Sequence, residues 1–265
     1  MFVAGVDVGA ATAKTVVMSD GQMLGYSIIP TGYSVTQAAQ EVTKEALEKA
    51  NLSMADLGYV VSTGYGRNAV PFANKTMTEI ICHAKGANFL IPETKAIIDI
   101  GGQDSKVIGV GERGIVTDFV MNDKCAAGTG RFLEVMANVL GLTIEEMGPT
   151  ALASNDPCHI SSTCTIFAET EMVSLRAQGR IREDLVAGIH RAIAKRVVLM
   201  GAHIKFQKET VLTGGVAKNV GVKKALQDEI GIDIFVPQEP QIIGALGAAL
   251  LAKAELDKAA GERSP

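Results

Sequence analysis

An internal repeat constrains this chain more than any other feature. Val6-Asp-Val-Gly-Ala-Ala-Thr-Ala-Lys14 aligns with Ile98-Asp-Ile-Gly-Gly-Gln-Asp-Ser-Lys106, so Asp7 falls on Asp99, Gly9 on Gly101 and Lys14 on Lys106. Each copy is an apolar run holding one carboxylate, closed by a turn of small residues and followed by more strand pattern (Val16-Val17; Val107-Ile108, then Gly114–Val120). A repeated unit of this kind predicts two similar α/β halves. Small-residue turns after strands let backbone N–H groups approach phosphate oxygens. Asp7, Asp99 and Asp104 are candidates to hold Mg²⁺, mostly through water, because that ion keeps much of its hydration shell. Taken singly, Lys14 and Lys106 read as ordinary solvated strand lysines, and Gly214-Gly215 as a strand-to-helix turn. Two duplicated loops and a third Gly turn together favour a nucleotide cleft between the halves.

The flanking patterns fill in the halves. Phe2–Gly9, Lys14–Met18 and Met23–Ile29 read as strands, the last two joined by Ser19-Asp20-Gly21. Val35, Ala38, Ala39, Val42, Ala46 and Ala50 mark one helix face. A strand over Gly58–Thr63 and a helix over Met77–Leu90 follow. Later come a helix over Asp184–Ile204, a strand over Thr210–Thr213, and a helix near Ala217–Glu229. A short strand around Ile234–Val236 leads to an Ala/Gly-rich helix over Ile243–Leu256, with a frayed end over Lys258–Pro265. Gly244, Ala245, Gly247, Ala248 and Ala249 let that last helix lie very close to another backbone or face a nucleotide. The domains expected are 1–92, completed by a C-terminal helix at 242–265, and 93–241.

With 265 residues the chain has ample core, and at 47% apolar but 5% aromatic residues that core must be aliphatic. A net charge of −4 leaves no basic footprint for nucleic acid. No charged-then-apolar leader pattern opens the chain, and its apolar stretches are short or broken by charge, so neither a signal peptide nor a membrane span is expected. Four cysteines suit a reducing cytosol, where metal binding competes with plain burial.

Two of those thiols precede helical patterns. Cys125 stands in Asn122-Asp-Lys-Cys-Ala-Ala-Gly-Thr-Gly-Arg131, before Phe132, Val135, Met136, Val139 and Leu140. Cys164 stands in Ser161-Ser-Thr-Cys-Thr165, before Ile166, Phe167, Met172, Val173 and Leu175. Helix N-termini favour negative charge, which makes a thiol placed there a better ligand or nucleophile. The other reading, a small buried hydrophobe, stays open for both. Cys82, before His83 in a helix, reads as core. Cys158-His159, six positions before Cys164, leaves a one-chain Cys/His zinc site as a rival. Other signatures fail on context: Gly109-x-Gly111-x-x-Gly114 lies between strand patterns, and Gly64-x-Gly66-x-x-Ala69 runs into Pro71, so both read as turns. Gly9–Thr15 is one glycine short of a P-loop and is followed by a strand. No Gly-x-Ser-x-Gly or His-Glu-x-x-His occurs.

Several segments together carry a resemblance. They are Gly5-Val-Asp-Val-Gly9, Thr63-Gly-Tyr-Gly-Arg67, Ile98–Asp104, Asn122–Arg131, Ser161–Thr165, Thr213-Gly-Gly-Val-Ala217 and Gly244-Ala-Leu-Gly-Ala-Ala249. The chain resembles the actin/hexokinase/Hsp70-type ATPases. Within them it is similar to the activators of 2-hydroxyacyl-CoA dehydratases and the ATPase subunits of benzoyl-CoA reductases. That resemblance implies a duplicated ribonuclease-H-like α/β fold with two domains and an interdomain nucleotide cleft. It implies ATP and Mg²⁺, with Asp7, Gln103 and Asp104 at phosphate, metal and attacking-water positions. Gly9, Ala10, Ala11, Thr12, Lys14, Gly101, Gly102, Gly128, Gly130, Gly214, Gly215, Lys218 and Gly244 would line the nucleotide, Gly214-Gly215 on its adenosine side. It further implies a cytoplasmic homodimer in which Cys125 and Cys164 of each subunit share one 4Fe–4S cluster. The partners implied are a flavodoxin or ferredoxin as electron donor and an iron–sulfur dehydratase or reductase as acceptor. Ala10-Ala11-Thr12 departs from the Ser-Thr-Ala of many relatives and shifts the hydroxyl open to a phosphate. The competing expectations are a small-molecule kinase on the same scaffold and a zinc-stabilised nucleotide-sensing module.

Overall fold

The computed structural model describes residues 1–161 and 164–261; Ser162 and Thr163 of the second cysteine segment, and residues 262–265, lie outside them. In chain order the elements are β1 (Phe2–Val8), β2 (Thr12–Ser19), β3 (Gln22–Pro30), α1 (Val35–Lys49), β4 (Leu57–Thr63), β5 (Lys75–Thr76) and α2 (Glu79–Leu90). Then come β6 (Ala96–Ile100), β7 (Ser105–Val110), β8 (Val116–Asn122), α3 (Gly130–Leu140), α4 (Ile144–Leu152), α5 (Thr165–Ala177) and α6 (Arg182–Met200). The chain ends with β9 (Thr210–Thr213), α7 (Val220–Ile230) and α8 (Ile243–Gly261). It divides into two compact units: Met1–Thr94, Val110–Thr117 and Gln241–Pro265 form the first, and Lys95–Gly109 with Asp118–Pro240 the second. No helix among the described residues is long and apolar enough to cross a membrane.

The first unit is built on a five-stranded sheet in the order β3-β2-β1-β4-β5, with β1 antiparallel to β2 and parallel to β4. β1 is buried on both faces beyond Phe2, which explains an apolar run interrupted only by Asp7. Asp20 and Gly21 both take positive φ and close the β2–β3 hairpin as a tight turn requires. Ser34 caps α1 by accepting from Gln37 N, worth about 1 kcal/mol. On the other face α8 packs backbone to backbone. A Cβ at Gly5 of β1 would strike Ala245 O, and one at Gly247 would strike Cys82 O of α2. The small-residue stripe of α8 is therefore a packing device along most of its length.

The second unit carries a four-stranded sheet, β8-β7-β6-β9, with β6 antiparallel to β7 and parallel to β9. Ile98, Ile100, Leu133, Met136, Leu185 and Ile189 fill one core beneath it, each contributing roughly 1.5–3 kcal/mol by burial. Helix α4 was not expected from the sequence, because Gly148 and Pro149 interrupt its pattern. A capping box between Thr143 and Glu146 starts it, and Gly148 lets it approach Asn219 and Val220 closely. Other boundaries also moved. α6 stops at Met200, four residues early, and a 3₁₀ turn over Gly215–Lys218 precedes α7. The Ile234–Val236 strand is reduced to one bridge, Val211 to Phe235. Lys258 does not begin a frayed end, since α8 runs on to Gly261.

Candidate functional site

The two copies of the repeat fold into two matching hairpin tips. In the first unit Gly9 N donates to Thr12 O at 3.0 Å, and Asp7 stands opposite Lys14 across the β1–β2 pair. In the second, Gly101 N donates to Asp104 O at 2.9 Å, and Asp99 stands opposite Lys106 across β6–β7. The match extends to the neighbouring parallel strand, which the sequence comparison missed. Thr63 ends β4 in register with Asp7, and Thr213 ends β9 in register with Asp99. The next residues, Gly64 and Gly214, both have φ of +85°. A Cβ at Gly64 would meet Asp7 Oδ1 and Val8 O; one at Gly214 would meet Asp99 Oδ1 and Ile100 O. Only glycine fits either place. The shared dipeptide Thr-Gly after a strand was the available signal.

The lysines differ. Lys14 Nζ lies 3.6 Å from Asp7 Oδ2, with 13% of its side chain exposed. It sits over Gly9, 3.2 Å from where a Cβ would be. Lys106 is 2% exposed and is bonded to both Asp99 Oδ2 at 3.2 Å and Asp104 Oδ2 at 2.7 Å. The reading of Lys106 as a solvated strand residue is thus corrected. Burying an ammonium requires opposing charge and hydrogen bonds, and the two carboxylates supply them. Over Gly101, the counterpart of Gly9, the neighbour is a carboxylate oxygen: Asp104 Oδ1 lies 2.5 Å from the Cβ position. One turn therefore presents a cation over its glycine and the other an anion.

The remaining candidates fall around these tips or away from them. Ala10 and Ala11 are the exposed tip of the first turn, and Thr31 braces it by donating to Ala11 O and Gly9 O. Gly244 of α8 backs Asp7 Oδ2 and His83 Nε2; His83, buried at 6% exposure, was not singled out from the sequence as a site residue. Gln103 is exposed on the second tip. Gly130 N and Arg131 N, at the start of α3, donate to Gly101 O and Gly102 O at 2.8 Å each, so this helix is bonded directly to the second turn. Gly128 packs on the Arg196 side chain. Gly215 opens the 3₁₀ turn that ends at Lys218, whose ammonium lies 2.9 Å from Glu239.

Asp99 is buried and engaged with Lys106 and with Thr213, whose Oγ1 donates to Asp99 Oδ1 at 2.7 Å. No three His, Cys, Asp or Glu residues gather among the described residues. Mg²⁺ usually takes one or two carboxylates with water and substrate phosphates. Asp7, or Asp104 with its side chain 29% exposed, has the donor chemistry for that mode.

The four cysteines separate by exposure. Cys82 is buried, its thiol pushed up to about 12 by burial, and is core as expected. Cys158 is buried too, with Arg180 Nε donating to its sulfur at 3.1 Å. The hydrogen bonds to Cys158 and Asp156 hold the Arg180 guanidinium above its ordinary value, while His159 is exposed. Cys125 is half-buried and Cys164 exposed. Cys164 is the N-cap of α5. Cys125 lies four residues before Thr129, the N-cap of α3, so it precedes that helix instead of starting it. Asn122 Nδ2 pins this segment by donating to Cys125 O at 2.8 Å and Ala127 O at 3.1 Å. Near the other end of both helices, Arg176 of α5 donates to Val139 O of α3 at 3.0 Å. Helix α5 buries Ala168 and Met172 but leaves Ile166, Phe167 and Val173 72%, 67% and 55% exposed.

The sequence model of the BadF/BadG/BcrA/BcrD ATPase family matches residues 4–252. The chain is 43% identical over 254 residues to the (R)-2-hydroxyglutaryl-CoA dehydratase activating ATPase of Acidaminococcus fermentans, covering 95% of this chain and 97% of that one. The solved structure of the activator of the 2-hydroxyisocaproyl-CoA dehydratase from Clostridium difficile, with bound ADPNP, superposes with a TM-score of 0.93. It is 43% identical, and the match covers 100% of this chain and 99% of that one. A ROK family glucokinase from Streptomyces griseus shares the fold at a TM-score of 0.58 and 13% identity, over 96% of this chain and all of that one.

Proposed function

Because this chain belongs to the BadF/BadG/BcrA/BcrD ATPase family, we propose that it is the ATP-driven activator of a 2-hydroxyacyl-CoA dehydratase or a related reductase. It passes single low-potential electrons to that iron–sulfur partner. It works in the cytoplasm as a homodimer, and reduced flavodoxin or ferredoxin reloads it. Cys125 and Cys164 hold one 4Fe–4S cluster with the same pair from a second copy. The donor set fits: two accessible thiols per chain make half of a four-thiolate site, and a twofold dimer completes it. The N-terminus of α5 offsets negative charge at Cys164. The exposed apolar side chains of α5 suit a surface that a second copy covers. When bound, such a cluster supplies one-electron redox chemistry.

The nucleotide roles divide between the two turns. Lys14 and the Gly9–Thr12 turn take phosphate oxygens, and Asp7 faces Mg²⁺ through water. Asp104 and Gln103 orient the attacking water. Gly214, Gly215 and Lys218 meet the adenosine side. The observation that carries the reading is the pair of 2.8 Å bonds from Gly130 and Arg131 to Gly101 and Gly102. A movement of the Gly101–Asp104 turn would be passed through these bonds to the start of α3 and the adjoining segment pinned at Cys125. A nucleotide shifts that segment only by favouring one arrangement of the turn over the other.

The test is anaerobic purification with iron and sulfide analysis. The reading expects a brown dimer with about four irons per two chains, bleached by Cys125→Ser or Cys164→Ser while the chain stays folded. A colourless protein, even after anaerobic reconstitution with iron and sulfide, contradicts it.

A further inference from the structure

We propose that Lys106 is a positioning residue for ATP hydrolysis and acts by fixing the Asp104 carboxylate over Gly101. This rests on the reading of Asp104 as the group that orients the attacking water. In that reaction the water oxygen bonds to the γ-phosphorus as the bridging P–O bond breaks toward ADP, and the water proton ends on the released phosphate.

The two turns of the chain place their lysines differently. The fourth position of each turn is Thr12 in the first unit and Asp104 in the second, and the lysine follows two residues later in both. With Thr12 there, Lys14 is paired with Asp7 at 3.6 Å, with no second carboxylate among the described residues, and lies over the turn glycine. In the second unit the shorter contact of the Lys106 ammonium, 2.7 Å, is to Asp104 rather than to Asp99. Among the described residues Lys14 forms one ion pair, with Asp7, whereas Lys106 ties Asp104 to Asp99 through one ammonium. At 2% exposure Lys106 is not placed to meet a phosphate itself. Asp104, by contrast, keeps 29% of its side chain accessible. A part-exposed carboxylate has several rotamers open to it. One oxygen fixed by a buried cation leaves the other, Oδ1, aimed over Gly101. Holding a catalytic group in one geometry is worth large rate factors.

The full-length protein tests this through MgATP hydrolysis, equilibrium ADPNP binding and thermal unfolding. The variants are Asp104→Asn, Lys106→Met, Lys106→Met/Asp104→Asn and Asp99→Asn/Lys106→Met, the last removing the charge that Lys106→Met leaves buried. The proposal expects kcat to fall about 30- to 100-fold in Lys106→Met, with the KM for ATP and the ADPNP affinity changed less than about threefold. Adding Asp104→Asn to Lys106→Met should make it no slower than Asp104→Asn alone, the non-additivity of residues acting as one unit. Asp99→Asn/Lys106→Met should stay folded and remain slow. If that variant hydrolyses ATP within about threefold of the parent while Asp104→Asn is slow, Lys106 positions nothing. Multiplicative losses in Lys106→Met/Asp104→Asn also overturn the proposal. If Asp104→Asn itself keeps the parental kcat, the reading of Asp104 fails and this inference fails with it.

Discussion

The turn over Gly9–Thr12 and the turn over Gly101–Asp104 share one backbone frame but place groups of opposite charge over their glycines. Each joins antiparallel strands, each has an Asp–Lys pair in cross-strand register, and each is backed by a Thr-Gly step with glycine at φ of +85°. Where the first turn has Thr12 the second has Asp104, and the second lysine is paired with that carboxylate. The first turn then shows an ammonium over its glycine, and the second a carboxylate. A duplicated scaffold thus sets an ammonium over one turn glycine and a carboxylate oxygen over the other without altering the fold.

The equivalence of the frames breaks most visibly at the two backing glycines. Gly64→Ala and Gly214→Ala each force a Cβ into a strand-end carbonyl at positive φ, and each should cost about 3 kcal/mol or more. Denaturant unfolding that finds one of them near neutral would dissolve the equivalence. The units should differ next in acid. Burial lowers His190 of α6 to about 4, and its Nδ1 has no hydrogen-bond partner among the described residues. The unfolded chain binds that proton first, near pH 6.5, so stability is lost as pH falls from about 6.5 through about 4, by up to about 3 kcal/mol. His190→Gln should flatten that slope, and amide exchange at pH 4.5 should rise in the second unit before the first. The two threonines give the smallest contrast. Thr213 donates to a buried carboxylate and Thr63 to Met77 O. Thr213→Val should therefore cost about 2 kcal/mol and Thr63→Val about 1, read from thermal unfolding.

The strands of the repeat, α1 and the Thr210–Thr213 strand were legible because apolar period and turn residues agree there. Helix α4 was not: Pro149 masks a segment whose stability comes from its cap and its packing. Lys106 looked solvated because strand alternation carries no record of a charge that two distant carboxylates will enclose. The register was nevertheless implicit, since a four-residue turn between Asp99 and Lys106 places them opposite each other. Cys125 reads as a helix start only because Phe132–Leu140 is strongly periodic; residues 126–129 are taken up by a turn that no periodicity reports. The pattern of Ile166, Phe167 and Val173 revealed the helix but not that this face is exposed.

The division of labour between the turns is tested most directly by MgATP steady-state kinetics on Lys14→Met beside Asp104→Asn. The account predicts a KM about tenfold higher with kcat within about threefold for Lys14→Met, and a kcat at least about a hundredfold lower with KM within about threefold for Asp104→Asn. Equal losses in the same parameter from both variants would contradict it.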